Sequence, residues 1–161
     1  MSPQLLNPIF NIVLVSPVIP QNSGNIGRLS AASSCRLHFV KPLGFELTDR
    51  YLKRAGLDYW PEVNYLVHDS WDAFLANENP AREKLALFST HGTKSYYDIP
   101  FAKGQYLVFG SETSGLAPEF HEHYAESRYR IPIDNQNIRS LNLANSVAIV
   151  VYEGRRQLGI R

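Results

Sequence analysis

The sequence predicts an α/β fold with a mainly parallel sheet and helices on both faces of that sheet. Short apolar, β-branched runs are separated along the 161 residues by segments of helical periodicity, as expected for strands joined by helical crossovers. Most of these runs are apolar at nearly every position, a pattern typical of strands buried on both faces. The length predicts a single domain, residues 1–161.

Six strands and five helices are predicted. The strands are Phe10–Val15, Arg36–Val40, Val63–Val67, Leu85–Phe88, Tyr106–Phe109 and Tyr129–Ile133. The helices are Asn25–Ser34, Asp49–Ala55, Ser70–Ala76, Pro118–Ala125 and a long one from about Leu143 to Leu158. The last helix has the clearest signals, because Asn142 can cap its start, Leu and Val recur on one face, and Gly159 follows its end.

Composition excludes several classes of protein. Hydrophobic residues make up 44% and charged residues 19%, unlike disordered or fibrous chains. The longest wholly apolar run, Val147–Tyr152, is far shorter than the ~18 residues of a membrane span, and no basic residue precedes Arg28 to flank a signal peptide. We therefore expect a cytoplasmic protein without a membrane partner, in which the lone Cys35 is a small buried side chain.

Charge is balanced overall but unevenly placed. Sixteen Lys and Arg against 15 Asp and Glu give a formal net charge of +1, so nucleic acid would have to bind a local basic surface. The stretch Arg36–Arg54 holds five basic and two acidic residues, and Ser127–Arg161 holds six and two. These two stretches either contact phosphates or form ordinary solvated surface.

Three polar segments follow predicted strands. They are Pro17–Arg28, Gly110–Leu116 and Asn137–Asn142. Because ligands bind beyond the carboxyl ends of parallel strands, the three segments predict one shared binding site. Gly24 and Gly27 allow close approach of a ligand or another chain, or form only a tight turn.

Other function classes lack their signals. The chain has neither GxGxxG nor GxxxxGK[ST], the phosphate cradles of two nucleotide-binding folds. No metal site is expected, since His121 and His123 lie two apart on a predicted helix and face different directions. A small hydrolase would lack an assembled nucleophile and base. The aromatic residues Tyr59, Trp60, Tyr65 and Trp71 could stack on bases, but core packing is favoured.

Three ordered motifs carry a resemblance to a known family. They read Asn22-Ser-Gly-Asn-Ile-Gly-Arg28, Phe109-Gly-Ser-Glu-Thr-Ser-Gly115 and Arg139-Ser-Leu-Asn-Leu-Ala-Asn-Ser146. On these residues the chain resembles the SPOUT-type RNA methyltransferases of the SpoU branch, in particular the small TrmL/YibK-like tRNA wobble-ribose methyltransferases. The resemblance runs from about Ile12 to Gly159. Relatives usually carry Pro, Arg and Ser where Ser111, Ser114 and Ala144 stand here, and Ile138 is an extra residue.

The resemblance implies a fold, a reaction and partners. The family fold has a deep trefoil knot in its C-terminal part and works as a homodimer. The cofactor is S-adenosyl-L-methionine, and the substrate is tRNA, bound at its anticodon stem-loop. The implied reaction is methylation of the ribose 2′-hydroxyl of cytidine or uridine 34. The alternatives are the same chemistry at another tRNA or rRNA position, and an inactive RNA-binding dimer.

The resemblance also implies individual site residues. Cofactor contacts fall on Phe88, Gly110, Ile131, Ser140 and Leu141, and catalytic positions fall on Asn22, Arg28, Glu112, Ser140 and Asn142. We expect Gly110 to let backbone bond directly to the ligand, and Glu112 to fix the third segment or an arginine. Because an arginine loses a proton at pH 7 only at a cost of about 7 kcal/mol, we expect Arg28 to stay charged and to hold the phosphate or ribose.

Overall fold

The computed structural model describes residues 5–161, except for the side chains of residues 49 and 53. Within this range, seven strands form one parallel sheet in the order β3-β2-β1-β6-β4-β7-β5. The strands are β1 (Phe10–Val15), β2 (Arg36–Val40), β3 (Tyr65–His68), β4 (Leu85–Phe88), β5 (Lys94–Ser95), β6 (Gln105–Phe109) and β7 (Arg128–Arg130). The predicted mainly parallel sheet is confirmed.

Helices cover both faces of the sheet, as predicted. They are α1 (Pro20–Ala32), α2 (Asp49–Arg54), α3 (Trp71–Glu78), α4 (Pro118–His123) and α5 (Leu143–Gln157). One core cluster holds the inward side chains of α1 and α5, such as Ile26 and Val147. A second cluster, on the other face, holds those of α3 and α4, such as Phe74 and Phe120. Short 3-10 turns occur at Trp60–Glu62, Arg82–Lys84, Tyr96–Asp98 and Ala125–Ser127.

Helix α1 begins at Pro20, five residues before the predicted start at Asn25. Proline is favoured at the first helical position because its fixed φ matches a helix and its missing N–H would have no partner there. The first motif is therefore helical rather than a loop. A Cβ atom on Gly27 would lie 2.5 Å from the Trp60 ring, so the motif's glycines admit the chain's own residues.

The strands differ from the prediction by more than one residue at three places. Strand β7 ends at Arg130 instead of Ile133, and the third motif begins in an irregular stretch, residues 131–142, and continues into α5. The two-residue strand β5 has no sequence signal and pairs with β7. Strand β3 begins at Tyr65 instead of Val63, because a 3-10 turn at Trp60–Glu62 precedes it. It forms an edge of the sheet, which leaves Leu66 and Val67 42% and 41% exposed.

Three smaller predictions, each about one side chain, are confirmed. The Asn142 side chain accepts a hydrogen bond from the Asn145 N–H at 3.1 Å and so caps α5. Cys35 is buried, which raises the pKa of its thiol. Trp60 is buried in the core against Phe39. Among the described helices, none is long and apolar enough to cross a bilayer. The trefoil knot stays a prediction of the resemblance.

Candidate active site

A cavity of about 320 Å³ lies at the carboxyl ends of β4 and β6. The segment that follows β4, the whole turn from Gly110 to Leu116, and residues of the irregular stretch and of α5 line it. The second and third motifs therefore meet at one site, as predicted. All five expected cofactor contacts are among the lining residues: Phe88, Gly110, Ile131, Ser140 and Leu141.

The cavity has an apolar wall on its sheet side. The ring of Phe88 stacks on that of Phe109, with centroids 4.7 Å apart and planes inclined by 11°. The half-buried Ile131 and the buried Leu143 also line the cavity. Such a wall suits a flat aromatic or aliphatic part of a ligand.

Gly110 is required for a reason that the sequence did not indicate. A Cβ atom at this position would lie 2.2 Å from the carbonyl carbon of Gly115 and 2.4 Å from the nitrogen of Leu116. The turn closes through a pair of backbone hydrogen bonds between Ser111 and Gly115, at 2.9 and 3.2 Å. The missing Cβ thus lets the second motif fold back onto its own backbone. The expected hydrogen bond from Gly110 to a ligand stays a prediction.

Glu112 joins the second motif to the start of α1. Its Oε2 accepts hydrogen bonds from the backbone N–H groups of Val18 at 2.8 Å and Ile19 at 3.3 Å. Within the described residues, Glu112 makes no hydrogen bond to the third segment or to an arginine, so the expected contact is not formed inside this chain. The N–H groups at a helix start lack partners within the helix and favour a negative charge, which explains the contact. The other oxygen, Oε1, is buried without a hydrogen-bond partner in a side chain that lines the cavity.

Asn22 and Asn142 join the first motif to the third. The Asn142 Nδ2 donates to the Asn22 Oδ1 at 3.0 Å, while the Asn142 Oδ1 caps α5. Because both ends of the amide are engaged, its orientation is fixed. Asn22 is buried in the first turn of α1. Contacts of Glu112 and Asn142 thus hold the first motif against the other two.

Arg28 lies apart from this group. It is exposed on α1, six residues or about 9 Å along the helix axis from Asn22, and it does not line the cavity. Its guanidinium lies over the ring of Tyr59, 4.7 Å from the centroid. The structure therefore places Glu112 and Ser140 at the cavity and joins Asn22 to Asn142, neither of which lines it, and leaves Arg28 on the outer surface.

Sequence reasoning missed several lining residues. Arg139 is the first residue of the third motif and lines the cavity. Its position in that motif could have identified it as a site residue. His91 and His121 also line it, but two isolated histidines carry no pattern. The His121 Nδ1 accepts a hydrogen bond from the Arg128 guanidinium at 3.1 Å. In the part of the chain that the structure describes, no group of three or more His, Cys, Asp or Glu side chains could hold a metal ion.

Known proteins are similar to this chain in sequence and in fold. The SpoU rRNA Methylase family matches residues 9–152. A tRNA (cytidine(34)-2′-O)-methyltransferase of Polaromonas sp. is 49% identical over 152 residues, which cover 94% of this chain and 92% of that protein. A solved structure from work on 2-OH methylation of C/U34 on tRNA is 44% identical, with a TM-score of 0.83 over 94% of this chain and 97% of that one.

An AdoMet-bound rRNA methyltransferase from Sinorhizobium meliloti shares the fold, with a TM-score of 0.80 at 23% identity over 98% of this chain and 59% of that one. All three motifs lie within the residues that the family matches, and the second and third of them line the cavity. The chain belongs to the SpoU methylase family.

Proposed function

We propose that the chain is an S-adenosylmethionine-dependent tRNA methyltransferase that modifies the ribose 2′-hydroxyl of the wobble nucleotide, cytidine or uridine 34. One observation carries the proposal. Glu112 and Ser140, from two motifs, line the same cavity, and Asn142 and Glu112 hold the first motif beside it. The chain is 49% identical to a protein named for this reaction, over nearly the whole length of both.

The residues of the cavity fit the proposed methyl donor. A volume of about 320 Å³ suits one small molecule, and Phe88 and Ile131 offer an apolar wall to its adenine. The unpartnered Oε1 of Glu112 can accept a hydrogen bond from a charged ammonium or an amino group. When bound, the donor supplies an electrophilic methyl group on a sulfonium sulfur.

Positioning of the ribose hydroxyl is the main task of the protein. Good alignment lowers the barrier to such a transfer by roughly 7–11 kcal/mol, whereas a general base raises the rate by about 10²–10⁴-fold. Asn22 and Asn142, which are held by one another and by the α5 cap, form a rigid edge beside the cavity. The ribose oxygen passes its proton to water and forms a bond to the methyl carbon, while the carbon–sulfur bond breaks and its electron pair stays on the sulfur of S-adenosylhomocysteine. A charged Arg28 would stabilise the negative charge that this oxygen carries before the new bond is complete.

The working unit is a homodimer. Arg28 is exposed and does not line the cavity of its own chain, so we propose that a second copy supplies the arginine that completes each site. Helix α5 leaves Ile149 and Tyr152 37% and 51% exposed beside α1, an apolar surface that a second copy would cover. Sedimentation equilibrium should give twice the mass of the 18.2 kDa chain, and a fully active monomer would contradict the arrangement.

The proposed RNA ligand is the anticodon stem-loop of tRNA. The proposed place of the reaction is the cytoplasm. Much of the basic charge is used within the chain, since Arg36 bonds to Asn64 and Arg130 bonds to two carbonyls. Within residues 5–161, Arg54 and Arg139 are exposed and make no such bonds. With Arg28 they form the candidate RNA surface. Affinity should therefore fall by about 0.7–0.9 log units per log unit of salt for each phosphate contact.

Nucleoside mass spectrometry of tRNA tests the reaction and the position together. Fragments from cells with and without the gene are compared at nucleotide 34. We expect the 2′-O-methyl group at that nucleotide to disappear when the gene is deleted and to return with the wild-type gene. Loss of a 2′-O-methyl group elsewhere in tRNA or in rRNA would replace the substrate. Unchanged 2′-O-methylation throughout would support the inactive RNA-binding dimer instead.

A further inference from the structure

We propose that Tyr59 is a positioning residue that holds Arg28 ready for RNA. The inference rests on the proposed function, because it assigns to Arg28 the task of contacting the phosphate or ribose. Tyr59 does not line the donor cavity. Its effect on the reaction would therefore be exerted through Arg28 and the turn of α1 that carries Arg28.

Tyr59 contacts Arg28 and the helical turn that carries it. The guanidinium carbon of Arg28 lies 4.7 Å from the centroid of the Tyr59 ring. The phenol oxygen donates a hydrogen bond to the Gly24 carbonyl at 2.8 Å. In an α-helix that carbonyl also receives the N–H of residue 28, four positions later. One side chain thus fixes both the backbone turn and the guanidinium.

The first motif is shaped to admit this contact. Residues 57–60 pack on the face of α1 that carries Gly24 and Gly27. A Cβ atom on Gly24 would lie 3.3 Å from the Leu57 side chain, and one on Gly27 would lie 2.5 Å from the Trp60 ring. Trp60 is buried in the core and anchors the segment. The two glycines therefore allow the segment to bring Tyr59 beneath Arg28.

An aromatic support suits an arginine that must contact RNA. In the part of the chain that the structure describes, no carboxylate forms an ion pair with Arg28. A ring face attracts the guanidinium without using its five N–H donors, which stay available for phosphate or ribose oxygens. Burial raises the pKa of Tyr59, so at neutral pH its hydroxyl stays protonated and able to donate to Gly24.

Three variants of the full chain distinguish the effect of losing the Tyr59 ring from the effect of losing its hydroxyl and from a general loss of stability. Tyr59→Leu removes the ring, and Tyr59→Phe keeps it without the hydroxyl. Tyr65→Leu is the matched control, since Tyr65 packs on Trp60 in the same aromatic cluster, with the two ring centroids 5.3 Å apart. We expect Tyr59→Leu to lower kcat/KM for tRNA by about 3- to 30-fold, the range of a cation–π contact. Tyr59→Phe should retain most of the activity, and Tyr65→Leu should be close to wild type.

Two further readouts distinguish positioning from loss of structure. The affinity for S-adenosylhomocysteine, measured by calorimetry, should change less than twofold in Tyr59→Leu. In an Arg28→Ala background, Tyr59→Leu should lower tRNA affinity no further. An equal effect in both backgrounds, or a loss in Tyr59→Phe as large as in Tyr59→Leu, would overturn the proposal. Absence of methylation by the wild-type protein would instead refute the proposed function, and tRNA affinity would still test the contact.

Discussion

Two buried histidines, His38 and His68, form a hydrogen-bonded chain whose proton positions can be assigned. The Asn11 Nδ2 donates to the Gly104 carbonyl at 3.1 Å, so the Asn11 Oδ1 faces the His38 Nε2 at 3.0 Å. The His38 Nε2 must therefore carry a proton, and its Nδ1 accepts from the His68 Nε2 at 3.1 Å. A second proton on His38 would face the N–H of His68, so His38 is held neutral.

The surroundings of His38 favour the same state. The side chain is 0% exposed, and burial, the neighbouring His68 and the charge of Arg36 lower its pKa to about 3. The Glu78 carboxylate lies 3.7 Å from the His38 Nε2, but that N–H is donated to Asn11. With a neutral imidazole the Glu78 contact is not an ion pair. Burial also lowers the pKa of His68.

The histidine chain predicts a loss of stability in acid. In the unfolded chain His38 gains a proton below about pH 6.5, whereas in the folded protein it resists protonation down to about pH 3. Stability contributed by neutral His38 is therefore present above pH 6.5 and is lost as the pH falls. Between pH 7 and pH 5 the free energy of unfolding should drop by about 2 kcal/mol from this group. Urea unfolding at the two pH values measures the drop.

A variant identifies the group responsible. His38→Gln should be less stable at pH 7, but its stability should fall by about 2 kcal/mol less between pH 7 and pH 5. His123→Gln, which alters an exposed histidine on α4, should behave like the wild type. An unchanged pH dependence in His38→Gln would show that other groups set the acid response.

At the scale of elements, the start of α1 depends on a residue from a distant turn. Glu112 supplies the acceptor for two N–H groups ahead of Pro20, across 94 positions of sequence. Replacement by glutamine keeps the shape but removes the charge that strengthens these bonds. We expect Glu112→Gln to lower the free energy of unfolding by about 1 kcal/mol and to weaken S-adenosylhomocysteine binding.

The matched control for Glu112→Gln is Glu119→Gln, in the exposed first turn of α4 and outside the cavity. It should leave both stability and ligand binding close to wild type. Denaturant unfolding and calorimetry give the two values. Equal behaviour of the two variants would show that the bond between the second motif and α1 contributes nothing to the site.

The elements differ in how far their sequences predict them. Strands β1, β2 and β4 match the predicted bounds, because a mostly apolar run of strand length has few other structures open to it. The start of α1 was not predictable from Asn22, Gly24 and their neighbours, which are typical of loops. Packing of Trp60 and the bond from Glu112 stabilise a helix there, and both come from distant residues.

At the scale of the whole molecule, sheet order creates the site. The order places β1, β6, β4 and β7 side by side, so the ends of β1 and β7 lie three strand spacings apart, about 14 Å, and the segments that follow them meet at Asn22 and Asn142. The sequence predicted that each polar segment follows a strand. This prediction is confirmed for the segments that begin at Pro17 and Gly110. It could not give the strand order or the contact of Asn22 with Asn142, since these depend on pairings between distant residues.

The arrangement also separates two tasks within one small chain. The cavity and the Asn22–Asn142 edge are built from a single chain, whereas Arg28 faces outward over Tyr59. The donor would thus be bound within each subunit, and the RNA ribose would be held where two subunits meet.

Reconstituted methyl transfer tests the central claim most directly. Purified protein, S-adenosylmethionine and tRNA from cells that lack the gene are incubated, and nucleotide 34 is analysed by mass spectrometry. We predict a 2′-O-methyl group on cytidine or uridine 34 with the wild type and none with Arg28→Ala, although both proteins bind S-adenosylhomocysteine. A wild-type protein that binds neither the donor nor its product, or that leaves every ribose unmodified, would contradict the account.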